Sequence, residues 1–178
     1  MRSPLAFGPP KNPESNPSER EILLAYIRWQ REQVIATADG LSEEQLRWRP
    51  DGRLLPIIGI INHLTHMEWR WVEGRYLGSE FPVRTDEFSV SDDLSGTKAI
   101  ERYWQQAQQT ERIVRAAPSL GVACLGNEHG RGPAHVLLGF ERPIDLRWVL
   151  LHLIEETAHH AGHADSTREM LDGTKMDP

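Results

Sequence analysis

Residues 151–170 read LHLIEETAHHAGHADSTREM and hold four of the chain's eight histidines, His152, His159, His160 and His163, beside the adjacent acids Glu155 and Glu156. At about 100° per residue, with His152 at zero, the apolar Val149, Leu150, Leu153, Ile154, Ala161, Ala164 and Leu171 fall between about 60° and 200°. One apolar arc of that width describes a helix burying a single face. Asp145 caps it and Gly173 ends it. The same reading works outward along the chain. Ser18-Glu19-Arg20-Glu21 fits a capping box opening a helix through Ala38, and Ser42 can cap a short helix in LSEEQL. Pro56 suits the first turn of a helix running to about Leu77, with Gly78 just past its end. Thr97 to Ala117 reads as another, stopped by Pro118. Four long helices imply an all-α chain, a four-helix bundle with a long loop, 118–143, before the last helix. A loop of that length suits a lid or a binding loop. Within it GNEHGRG reads as a turn, and its flanks VACL and HVLLGF can pair as a small hairpin. Residues 1–17, rich in Pro, Asn and Ser, form a loose arm, and 18–178 form the bundle domain.

Composition narrows the function. The 178 residues are 39% hydrophobic, enough to bury a core. A net charge of −6 and the absence of a basic run argue against nucleic acid or an anionic membrane as partner, since phosphate binding needs a cationic surface. No segment approaches about eighteen unbroken apolar residues, and the N-terminus has no apolar targeting core, so a cytoplasmic location is expected. Cys124 is the single cysteine. Intrachain disulfides and thiolate metal clusters are thereby excluded, leaving His and carboxylate as metal donors. The aromatic content fits a homodimer, although no heptad repeat specifies one.

On the last helix His160 lies at about 80°, inside the apolar arc, and Glu156 at about 40°, on its border. His163 comes at about 20° and His159 at about 340°, pointing progressively toward solvent. In IIGIINHLTHMEWRW, with His63 at zero, the stripe of Ile57, Ile60, Ile61, Leu64, Met67, Trp71 and Val72 centres near about 100°, while His66 lies near about 300°. His63 is therefore the inward histidine. Glu68, at about 140°, falls within the stripe and needs a partner, either as anchor of a ligand histidine or as a base. A lone histidine on such an edge is ordinarily a hydrogen-bonded core residue. Three groups together change that reading. Glu156 and His160 lie one turn apart on one face, and His63 can complete the set from a facing helix. Two imidazoles and one carboxylate suit Zn²⁺ or another first-row divalent cation, with a position open for water or substrate. The order E-x-x-x-H, without H-E-x-x-H, disfavours a zincin protease. The same set serves a metal-dependent hydrolase using bound water, or a non-catalytic, stress-associated metal-binding bundle.

INHLTHMEWRWVEG, followed far downstream by LRWVLLHLIEETAHHAGHADSTREMLDG, resembles the DinB-like superfamily, and most closely its mycothiol-dependent branch of maleylpyruvate isomerases and mycothiol S-transferases. The resemblance implies a four-helix bundle with a divalent cation, Zn²⁺ first and Ni²⁺ or another first-row metal as alternatives. Its ligands come from the second long helix and from two positions four apart on the last. His63, Glu156 and His160 take those places, with Glu156 where many DinB relatives carry histidine. The implied activity is transfer of a low-molecular-weight thiol such as mycothiol to an electrophilic small molecule, with the metal binding the thiol as thiolate. Glu68 and His163 are then candidates for managing protons, the alternative for each being a hydrogen-bonded core residue.

Overall fold

The computed structural model describes residues 17–49, 52, 54–80, 87–126 and 144–175. The expected arm up to residue 16, the GNEHGRG turn beyond Gly126 and its HVLLGF flank lie outside the described residues. Among the described residues five α-helices follow in order: α1 (Glu19–Thr37), α2 (Glu43–Arg47), α3 (Ile57–Trp69), α4 (Gly96–Ala116) and α5 (Leu146–Asp172). The expected caps at Ser18 and Asp145 are in place: Ser18 Oγ accepts from Glu21 N and an Asp145 carboxylate oxygen from Trp148 N. Ser95, which the sequence reading did not name, caps α4 by accepting from Lys98 N. Ser42 and Gln45 form a full reciprocal box. At Ser18 the expected box is only half made, because the Glu21 carboxylate reaches across to Arg115 at 2.5 Å. Gly173, at φ 75°, ends α5 in the left-handed conformation and donates to the Glu169 carbonyl.

α1 packs along α5 and α3 along α4, and α3 also meets α5, so the four long helices close a bundle. Its core is the apolar set expected from periodicity: Ile27, Ile60, Leu64, Val149, Leu150 and Leu153 are all fully buried. No helix among the described residues is long and apolar enough to cross a membrane.

One expectation is corrected. The helix from Pro56 to about Leu77 is α-helical only to Trp69, with Pro56 just outside it as N-cap; Arg70–Tyr76 continues as a π-helix. The wider coil leaves its last carbonyls free for another partner. Those of Arg75 and Tyr76 accept from Gly126 N (2.8 Å) and Leu125 N (3.2 Å). Gly126 fits because a Cβ there would stand 2.1 Å from the Gly74 carbonyl oxygen. VACL, in turn, pairs with the start of α5: Ala123 bridges Asp145, Cys124 N donates to Ile144 O, and Leu146 N donates to Val122 O. The segment thus stitches the π-helix to the entry of α5.

A buried ion pair crosses the bundle. Arg31 of α1 and Glu68 of α3 have fully buried side chains and meet in a fork, Nε to Oε1 at 2.7 Å and Nη2 to Oε2 at 2.8 Å. Thr110 of α4 donates its hydroxyl to Glu68 Oε2 at 2.9 Å. Removing Glu68 strips the buried Arg31 of its two-point partner and leaves it only the looser contact of Nη1 with Glu111 at 3.6 Å. Glu68→Leu is therefore expected to cost about 3–5 kcal/mol in urea unfolding, and the double variant Arg31→Met/Glu68→Leu to recover most of it. Additive losses would contradict the pairing.

Candidate metal centre

α5 carries Glu156 and His160 one turn apart, and α3 presents His63 to them. One donor atom from each of the three lies within 4.8 Å of the others. The His63 and His160 rings stand 4.7 Å apart at 61°, and His160 Nε2 is 3.5 Å from Glu156 Oε2. The imidazoles are nearly enclosed, at 12% and 9% side-chain exposure, whereas Glu156 keeps 31%, so the cluster opens on the Glu156 side.

The orientation of His63 is set by its partner. Its Nδ1 lies 2.9 Å from Glu87 Oε2. Glu87 resists ionisation through burial, but the hydrogen bond from His63 and the Arg70 charge outweigh this and hold it below the ordinary carboxylate range. An ionised carboxylate only accepts, so Nδ1–H donates to it, and Nε2 is the nitrogen left to face a cation. That Nε2 is buried with no hydrogen-bond partner among the described residues. A bare, buried imidazole nitrogen beside a second imidazole and a carboxylate fits a divalent first-row cation. Glu156 is held ionised, as a ligand must be: the His160 imidazole lowers its pKa more than burial raises it, and His152 and His63 add to the effect.

The other expected residues divide. His163 stands at the edge, its ring 5.5 Å from that of His160 and 4.4 Å from that of the exposed His159. Burial first, then its two histidine neighbours, lower its pKa, and its Nδ1 is buried without a hydrogen-bond partner among the described residues. Glu68 is elsewhere. It does have the partner its position demands, but that partner is Arg31 rather than a ligand histidine, with Thr110 on the second oxygen. His152 stacks on Trp148 (5.2 Å, 17°) and meets Trp71 edge-on (4.4 Å), and its donor atoms group with those of Glu155 and Glu156. Cys124 is no nucleophile, since burial pushes its thiol up to about 12.

A family model described as Mycothiol-S-transferase matches residues 22–173. The chain belongs to the mycothiol-S-transferase family. This places it within the DinB-like superfamily, in agreement with the all-α bundle. A structure titled as a conserved protein from Enterococcus faecalis is similar, with a TM-score of 0.67 over 89% of this chain and 99% of that one, at 10% identity. At that identity it shows the fold alone. No curated protein matches.

Sequence reading missed Glu87, Phe88 and Arg70. The first two sit in a loop with no periodicity to rank them, and Arg70 begins the π-helix. The one signal available was indirect: a ligand histidine needs a partner for its second nitrogen.

Because the pKa of Glu87 is depressed by folding, the unfolded chain takes up that proton first as pH falls. The group contributes stability above its ordinary value of 4.5 and loses it as pH drops through the folded value. In metal-free protein, the stability advantage over Glu87→Gln is expected to shrink below that pH in urea titrations. Parallel curves would contradict the assignment.

Proposed function

We propose that this mycothiol-S-transferase family member is a divalent-cation-dependent enzyme that joins mycothiol to an electrophilic small molecule. The observation that carries the reading is the convergence of the His63, Glu156 and His160 donors, with His63 Nε2 buried and bare. Family membership supports the thiol chemistry. Two nitrogens and one oxygen favour Zn²⁺, with Ni²⁺ or another first-row cation able to take the same donors.

When bound, the cation supplies Lewis acidity that lowers the pKa of a thiol at its open position. The protein does the rest. His63 and His160 fix the site from the enclosed side, and the half-buried Glu156 leaves room for a small molecule on the other. His163, neutral at physiological pH because its pKa is lowered, can take the thiol proton at Nδ1. Glu68 has no part in this, since both of its oxygens are engaged. The stacked Trp148 and His152 rings, with Trp71 inclined against them, offer an aromatic surface for the electrophile beside Glu156. Overall the thiol loses its proton and a carbon–sulfur bond forms. The electron pair leaves with the displaced group or, in an addition, a neighbouring carbon takes up the proton.

The test is Zn²⁺-loaded protein with mycothiol and a bimane or chloroarene electrophile. Conjugate should form with saturable dependence on mycothiol. His160→Ala should slow it by more than the roughly 10–100-fold that loss of a supporting contact costs. His159→Ala should not. Product forming equally well without thiol would contradict the reading.

A further inference from the structure

We propose that Glu87 is a positioning residue which, with Phe88, clamps His63 as the Nδ1–H tautomer and presents Nε2 to the cation site. The proposal rests on reading His63 as a cation ligand, but its geometry is independent of any thiol. Four contacts hold the clamp on α3 and on the first residue of the π-helix. Glu87 accepts from His63 Nδ1 with Oε2 at 2.9 Å and from Arg70 with Oε1. Asn62, the neighbour of His63, donates its side-chain amide to the Glu87 carbonyl at 2.7 Å. Phe88 lies flat on the His63 ring, with centroids 4.2 Å apart and planes at 18°. Gly59, one turn before His63, supplies the space: a Cβ there would stand 2.4 Å from the Phe88 carbonyl oxygen. The imidazole is thus restrained at its face and at one nitrogen, and the buried second nitrogen is left bare.

The two-sided use of the carboxylate makes the proposal sharp. Arg70 can only donate, so it demands an acceptor on its side of residue 87. In Glu87→Gln the amide oxygen turns toward Arg70 and the amide NH₂ faces His63. His63 must then accept at Nδ1 and carry its proton on Nε2, the wrong tautomer for a ligand. A purely structural contact would tolerate this nearly isosteric change.

The experiment uses the full chain with ¹⁵N-labelled histidine, first metal-free and then titrated with Zn²⁺ against a chromophoric chelator. Wild type should show His63 as Nδ1–H. Glu87→Gln should show Nε2–H and bind Zn²⁺ roughly 10–100-fold more weakly. Gly59→Ala, which displaces the clamp while leaving every donor in place, should also weaken Zn²⁺ binding. Glu87→Gln retaining the Nδ1–H form would overturn the proposal, as would wild-type Zn²⁺ affinity in both variants. A tautomer switch supports it even in a protein that takes up no Zn²⁺, an outcome that would overturn only the cation-site reading.

Discussion

A guanidinium and a carboxylate shut away from water between α1 and α3 set the terms for the rest of the bundle. Each ion costs several kcal/mol to bury, and only good geometry with further hydrogen bonds offsets that cost. Arg31 and Glu68 meet the condition with a two-point fork and the Thr110 hydroxyl. The consequence is rotational. Glu68 must face α1 and α4, and His63, five residues earlier, is carried about 140° round the helix. That is the side on which α5 packs. One helix therefore serves a buried charge pair on one face and the candidate cation site, through His63, on the next, and turning it to satisfy one group differently would misplace the other.

The candidate site is built in two styles. Its three donors sit on long helices whose apolar stripes fix where they point, while the carboxylate that meets His63 Nδ1 comes from a segment outside any helix. Helices give positional rigidity, and the Glu87–Phe88 segment adds control of a single nitrogen. Exposure grades across the cluster, from two enclosed imidazoles to a half-buried carboxylate, and this gradient leaves one side open for small molecules.

Much of this was legible in the sequence because helical periodicity places side chains in space. His63, Glu156 and His160 were readable in that way, as were the serine and aspartate caps. The true partner of Glu68 was missed, although a signal for it was present. Arg31 follows Leu24 and Ile27 and precedes Val34 at core spacing, a cation in one stripe answering an anion in another, and the 140° between Glu68 and His63 already spoke against a shared partner. What stayed hidden is non-local or aperiodic. The π-helix depends on backbone groups of Leu125 and Gly126 far downstream, and a count at about 100° per residue cannot register it. Glu87 belongs to a loop where no spacing distinguishes it from its neighbours.

The central claim is that His63, Glu156 and His160 hold one divalent cation with a position left open. Titrating the metal-free protein with Co²⁺ and following its visible absorption measures this directly, because band intensity reports coordination number and saturation reports stoichiometry. The account predicts saturation at one equivalent, an intensity that changes when a thiol is added, and loss of the signal in His63→Ala and His160→Ala but not in His159→Ala. A protein that develops no such band, or whose band is indifferent to His63 and His160, would contradict it.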